Sequence, residues 1–405
     1  MSEALKQAPR TVEDRPTPEE LVQRARDMIP TLRARAQRCE VDRRVPDETV
    51  AEFKQAGFFR VLQPAIYGGY EMDPMVAYDI TIELAKGCPS SAWIYGVVGV
   101  HQWEMALFPR QVTEEIWGKD TEVLISSSYA PTGKIERAPG GYRLSGRWGF
   151  SSGCDHCDWV ILGGGLVPPK EEGGLPDAVV VILPRSDYRI DDTWHVAGLA
   201  GTGSKDIVVD NAFIPEYRTH SVVTPHADPS VVGEGGLAET YKLPFPVVFS
   251  NAISTATIGM ALGALDVYLE QSRKRVTLFD GAQVANDPFA QHRGAAAEAA
   301  INGIRLQLRA NFEEMREMVR RGEPIGMDRR ARYRWDSANM ARVCARAVAS
   351  LFEGMGGRSL YLDNPMQRFF RDVHAATVHG FLNPEKLGVN YGRVQLGLDG
   401  TDLTV

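Results

Sequence analysis

Two hydroxyl clusters and a handful of histidines carry the chemistry legible in this chain. Ser126, Ser127, Ser128 and Tyr129 close one β-prone run, EVLISSSY, and Ser151 and Ser152 close another, GYRLSGRWGFSS. Such hydroxyls can donate, accept or simply edge a solvated strand. His101 lies inside the apolar stretch WIYGVVGVHQWEMALF, flanked by Trp93, Tyr95 and Trp103. An imidazole there is either satisfied in the core or turned to a cavity, where its ordinary pKa of about 6.5 suits proton transfer. His374 and His379 lie in FFRDVHAATVHG. On one continuous helix their spacing turns about 500°, so they project about 140° apart and cannot share a metal. His195, His220, His226 and His292 stand in polar text and read as surface residues.

Other motifs point to little. Cys154 and Cys157 form a single CxxC between two strands, without the second pair of a structural zinc site and without the helix a redox dithiol would open. Cys39, Cys88 and Cys344 stand alone, so no metal site is expected. GLAGTGS (198–204) has neither dinucleotide nor triphosphate loop spacing, and it precedes a strand rather than a helix. A Gly-x-Ser-x-Gly elbow is absent, which argues against a serine hydrolase. With Lys plus Arg at 45 and Asp plus Glu at 52, the net charge of −7 argues against a nucleic-acid partner. The polar start and the lack of eighteen uninterrupted apolar residues suggest a cytoplasmic chain with no membrane segment.

The elements that must position these residues fall into three blocks. Residues 1–20 are rich in Pro, Glu and Arg and read as a flexible N-terminus. Residues 21–120 read as all-helical: Leu21, Ala25, Met28, Ile29, Leu32 and Ala36 make one stripe, Pro46 and Asp47 start a second helix, and Gly57 stops it. Residues 121–225 read as a β-sandwich or barrel of short strands parted by Gly, Pro and Asp. From 226 to 405, after a linker at about 222–246, long helices with Ala, Gly and Ser on their faces predict a four-helix bundle. The fold class is therefore α+β.

Read together, four segments resemble the acyl-CoA dehydrogenase superfamily over about residues 20–395: VPDETVAEFKQAGFFRVLQPAIYGG, SGRWGFSSGCDHCDWVILGG, ALDVYLEQSRKRVTLFDG and GMGGRSLYLDNPMQRFFRDVHAATVHG. The second is similar to the β-domain segment that lies on the flavin ring, which puts Phe150, Ser151 and Ser152 there. The third resembles that superfamily's Arg and Phe element, implying flavin contacts for Arg275 and Phe279. The fourth resembles its Gly-Gly and Arg-Asp helix, with Gly356, Gly357, Arg371 and Asp372. The departures matter more than the matches. The dehydrogenases carry a catalytic glutamate eight residues after the Arg-Asp pair, where this chain has Gly380 beside His379.

That departure, with VGVHQWEMALF, ISSSYAP and WGFSSGCDH, resembles the oxygenase components of two-component flavin-dependent aromatic hydroxylases, the branch acting on a phenolic secosteroid and on p-hydroxyphenylacetate. The resemblance implies hydroxylation of a phenol at the ortho position through a flavin hydroperoxide. Dioxygen and diffusible reduced FMN or reduced FAD would be the co-substrates, and a separate NADH-dependent flavin reductase the supplier. It implies His379 as the base on the phenol, Ser127 holding the phenol oxygen and His101 completing the set. Trp93, Tyr129 and His374 would line the substrate pocket, and Ser152 would neighbour the flavin N5. It implies a homotetramer. The alternatives are an indole or sulfur-heterocycle monooxygenase of the same branch, an acyl-CoA dehydrogenase, or a catalytically silent flavin-binding protein.

Overall fold

The computed structural model describes residues 15–167, 177–222, 227–232, 239–277 and 281–402. Its first helix, α1 (Pro18–Asp42), opens on a capping box. Thr17 Oγ1 accepts from the Glu20 N–H at 3.2 Å, and the Glu20 carboxylate accepts from the Thr17 N–H at 2.8 Å. Leu21, Ala25, Leu32, Ala36 and Cys39 are its buried stripe. α2 (Asp47–Gln55) stops just before Gly57, whose φ of 80° a side chain would resist. Asp73 caps α3 (Pro74–Ala85). α4 (Pro89–Glu104) is buried at every residue, which is why its sequence shows no polar face. α5 (Arg110–Trp117) completes the helical start.

The strands are β1 (Ile125–Ser128), β2 (Lys134–Ala138), β3 (Gly141–Ser151), β4 (Trp159–Val167), β5 (Asp177–Pro184), β6 (Arg189–Asp191), β7 (Lys205–Pro215) and β8 (Thr219–Ser221). They make two four-stranded sheets, ordered β1-β4-β5-β8 and β2-β3-β7-β6. β1 pairs with β4 in parallel, and the other pairings are antiparallel. Tyr142, Leu144, Trp148, Val160, Leu162, Val181, Ile207 and Ile214 form a common core for the two sheets, a sandwich arrangement.

The C-terminal helices are α6 (Phe245–Lys274), α7 (Pro288–Arg320), α8 (Met327–Met355), α9 (Pro365–Thr377) and α10 (Pro384–Gln395). α8 packs against the other four. α6 also packs against α3 and α4, and small residues let the backbones approach. A Cβ on Gly96 of α4 would stand 2.5 Å from Ala252 O of α6, and one on Gly259 of α6 would stand 2.2 Å from Ile82 O of α3. By length and hydropathy α6 could cross a membrane, although it lacks eighteen uninterrupted apolar residues. Its apolar window is 83% buried inside the protein, which marks it as a core helix.

The structure departs from two of the sequence expectations. α9 ends at Thr377, so His379 is not on a helix with His374; it caps a short turn at Gly380–Leu382. His220, read as a surface residue, has a buried side chain on β8, only 7% exposed. His195 and His292 are exposed, and His226 lies outside the described residues.

Candidate active site

α4, β1, the start of α6 and the turn after α9 bring one cluster of rings together. Tyr129, just past β1, meets Phe249 of α6 at 5.0 Å between centroids, His101 of α4 at 6.2 Å and Phe381 at 6.2 Å. Phe249 also touches Phe381 at 4.9 Å and lies nearly parallel to His101 at 6.2 Å. His379 packs against Phe381 at 6.2 Å and Trp93 of α4 at 5.8 Å. Five of the residues singled out in the sequence thus meet around this cluster: His101, Tyr129, Trp93, His379 and, through Trp93, Ser152. The Trp93 N–H donates to Ser152 Oγ at 3.2 Å. Ser127 joins them, since its hydroxyl interacts with that of Tyr129.

The two imidazoles have opposite hydrogen-bond commitments. His101 is fully buried, and its Nδ1 lies 2.7 Å from Ile125 O. A carbonyl only accepts, so Nδ1 carries the hydrogen; Nε2 is then a bare lone pair, buried and without a partner among the described residues. Burial pushes its pKa down, opposed by the Glu104 charge and the bond to Ile125. His379 Nδ1 accepts from the Phe381 N–H at 3.2 Å, which leaves the hydrogen on Nε2. Its pKa is pushed down to about 4, first by burial and then by the Arg334 guanidinium. Arg334 is itself buried, lies over the Phe381 ring at 5.1 Å and donates to Phe381 O. One neutral imidazole therefore presents an acceptor and the other a donor.

Sequence reasoning missed Glu104. Its carboxylate is fully buried, accepts from the Tyr129 hydroxyl and lies 3.3 Å from His220 Nε2. The ring of His220 stands edge-on to Phe108 at 4.6 Å, and its Nδ1 donates to Ser221 O. Burial and the Glu104 charge raise the Tyr129 pKa well above its ordinary value. A signal existed: a carboxylate three residues after His101 in an apolar helix shares its face. Phe249 and Phe381 were also missed; an apolar run gives no hint of which ring faces a cavity.

Ser152 Oγ contacts Ser204 Oγ at 2.7 Å, and Ser204 Oγ contacts Thr202 Oγ1 at 2.6 Å. Next to Ser152, Ser151 Oγ is buried without a partner among the described residues, and Phe150 sits at φ 67°, 73% exposed, with its ring edge-on to Trp194. A strained residue holding an aromatic ring in the open beside an unsatisfied hydroxyl fits a planar heteroaromatic ring with polar edges, as a flavin has. Gly153 follows at φ 70°, where its added Cβ would meet Ile94 of α4 at 3.2 Å.

The remaining candidates lie elsewhere. Arg275, just past α6, reaches across to α8, donating to Met355 O and, at 2.9 Å, to Gly354 O, beside Gly356 and Gly357. These glycines have open space where a Cβ would stand. The His374 ring packs at a tilt against Phe370 at 4.3 Å, and its Nδ1 lies 2.7 Å from Phe370 O, so it turns along α9 rather than into the ring cluster. Phe279 lies outside the described residues. Cys154 and Cys157 are buried free thiols, and burial raises the Cys154 pKa to about 12. Gly380, where the dehydrogenase glutamate would stand, has open space around it.

Residues 15–110 match the family described as "Acyl-CoA dehydrogenase, N-terminal domain", and residues 251–384 match "Acyl-CoA dehydrogenase, C-terminal domain". The chain is 40% identical over 388 residues to the flavin-dependent monooxygenase oxygenase subunit HsaA of Rhodococcus jostii, covering 95% of this chain and all of that protein. It is 32% identical to the oxygenase component of an FADH(2)-dependent resorcinol hydroxylase of a Rhizobium strain, covering 94% of each. Among solved structures, 3-HSA hydroxylase from Rhodococcus sp. RHA1 superposes with a TM-score of 0.88 at 40% identity, covering 95% of this chain and 99% of that one.

Proposed function

Since this chain belongs to the oxygenase components of two-component flavin-dependent monooxygenases, built on the acyl-CoA dehydrogenase fold, we propose that it hydroxylates a phenol ortho to its hydroxyl group. It is an oxygenase subunit that acts on an aromatic substrate and uses reduced flavin. The family's division of labour calls for a separate reductase, and an NADH-dependent enzyme delivering FMN or FAD is the one we infer. When bound, reduced flavin supplies the activation of dioxygen.

The observation that carries the phenol reading is the pair of opposed imidazoles in an aromatic-lined site. A phenol hydroxyl is both donor and acceptor. His101 Nε2 can take its hydrogen, and His379 Nε2–H can donate to its oxygen. Drawing the proton toward His101 enriches the ring in electrons, which electrophilic oxygen insertion requires. The sequence reading gave the base role to His379; the hydrogen bonds favour His101, with His379 as the donor that stabilises the phenolate. Ser127 is assigned to the oxygen's other side, and Tyr129, whose hydroxyl hydrogen is given to Glu104 beside His220, forms the wall next to it. Phe249, Phe381 and Trp93 exclude water.

Ser151 and Ser152 are assigned to the polar edge of the flavin's central ring, with Ser152 at N5, and Phe150 to its face. Arg275, Gly356 and Gly357 are assigned to its phosphate end, with the guanidinium leaving the α8 carbonyls to do so. His374 stays a secondary candidate on the pocket rim. Exposed Leu360, Leu362, Val378, Val389 and Leu396 in the C-terminal region support assembly into a homotetramer. The test supplies chemically reduced FMN or FAD, dioxygen and a series of phenols and indoles to wild type, His101→Asn and His379→Asn. Expected are a preference for phenols and a fall of about 10²–10⁴-fold in hydroxylation rate for His101→Asn, with dioxygen diverted to hydrogen peroxide. A preference for indoles, or unimpaired His101→Asn, would overturn the assignment.

A further inference from the structure

One hydrogen-bonded chain beside the site has a direction that can be worked out from its far end. Trp93 Nε1 lies 3.2 Å from Ser152 Oγ, Ser152 Oγ 2.7 Å from Ser204 Oγ, Ser204 Oγ 2.6 Å from Thr202 Oγ1, and Thr202 Oγ1 2.8 Å from Leu199 O. The indole can only donate and the carbonyl can only accept. Two oxygens 2.8 Å apart repel unless a hydrogen lies between them, so the single hydrogen of Thr202 is committed to Leu199. Ser204 must then donate to Thr202, and Ser152 to Ser204. The Trp93 N–H fills one of the two lone pairs on Ser152. What remains at Ser152 Oγ is one lone pair and no hydrogen.

The far end cannot easily turn over. Leu199 O also accepts from Trp194 Nε1 and from the Thr202 N–H, both at 3.1 Å. Leu199 N–H donates to the buried Asp372 carboxyl at 2.6 Å, and Leu199 is held at φ 53°, left-handed backbone that a leucine adopts only under constraint. Ser152, Ser204 and Thr202 are all buried, so water does not compete for their hydrogens.

Resting on the reading that Ser152 meets the flavin at N5, we infer that Thr202 and Ser204 are positioning residues that keep Ser152 a hydrogen-bond acceptor and so favour reduced over oxidised flavin. Reduced flavin carries a hydrogen on N5 and can donate to Ser152. Oxidised flavin has only a lone pair there, which would face the lone pair of Ser152. A diffusible co-substrate that must arrive reduced and leave oxidised gains from this discrimination at each turnover.

The test is a pair of binding titrations followed by tryptophan fluorescence: oxidised FMN in air, and dithionite-reduced FMN under anaerobic conditions, each repeated with FAD. In Thr202→Val, Ser204 is free to donate to Ser152, and the Ser152 hydrogen can turn toward N5. The ratio of oxidised to reduced Kd is expected to fall about tenfold from the wild-type value, through tighter oxidised and weaker reduced binding. Ser204→Ala should lower the ratio similarly, and Thr202→Ser, which keeps the hydroxyl, should retain it. A purely structural role would weaken both redox forms alike; an unchanged ratio in Thr202→Val and Ser204→Ala overturns the inference. Ser152→Ala separates the two levels. If it alters neither Kd while both flavins still bind, the placement of flavin at Ser152 is wrong, and the inference falls with it.

Discussion

Acidifying the protein isolates the environment of His379 in a way that can be worked through from its contacts. The folded ring has a pKa of about 4, whereas an unfolded histidine titrates near 6.5. Protonation would cost the bond from the Phe381 N–H to Nδ1 and put a second cation beside Arg334. Because the folded pKa is the lower one, the unfolded chain takes up the proton first. The stability this residue contributes is thus present above about pH 6.5 and is lost as pH falls toward 4. Between pH 7 and pH 5 the loss is about 2 kcal/mol, from about 1.4 kcal/mol per pKa unit. His379→Gln cannot titrate, and its amide oxygen can still accept from Phe381. Urea unfolding at several pH values should therefore show wild type losing about 2 kcal/mol more than the variant between pH 7 and pH 5. The same pH dependence in both proteins would overturn this. It would mean that His379 titrates near its ordinary value and is not reliably a neutral donor at working pH.

Asp372 gives the opposite sign. Burial, opposed by the Leu199 N–H and Arg371, raises its pKa to about 7, so the folded state holds a proton that the unfolded chain releases near 3.9. Its contribution should make stability fall as pH rises from about 4 to 7, and Asp372→Asn should flatten that fall by a few kcal/mol in urea melts at matched pH. Gly96→Ala should destabilise by about 1–3 kcal/mol, because the new methyl would meet Ala252 O at 2.5 Å and push α4 from α6. That shift moves Trp93 and His101 on the same helix, so product formed per dioxygen consumed should drop with it; a variant of wild-type stability and coupling would show that the helices can part freely.

Much of the frame was legible because the helices obey simple rules. The stripe from Leu21 to Ala36, the stop at Gly57 and the long small-residue runs of α6, α7 and α8 all read directly. β2, β6 and β8 were not legible, because KIERA, RID and THS are short and polar and lack apolar alternation. Of the site, His101, Tyr129, Trp93 and His379 could be picked out by residue type, but their meeting depends on tertiary packing. His379 was misplaced because nothing in ATVHG announces that the helix ends at Thr377. Glu104, His220 and the Ser204–Thr202 chain stayed hidden for another reason. A buried polar group is recognised by its partners, and these partners lie up to 116 residues away in the chain.

The most direct test of the central claim is oxygen incorporation from labelled dioxygen. Protein, chemically reduced FMN or FAD and a phenol are mixed with ¹⁸O₂ in the absence of any reductase, and the product is analysed by mass spectrometry. The expected product is a catechol carrying one ¹⁸O atom, formed without nicotinamide. Unlabelled product, or no hydroxylation together with anaerobic bleaching of oxidised FAD by an acyl-CoA thioester, would contradict it.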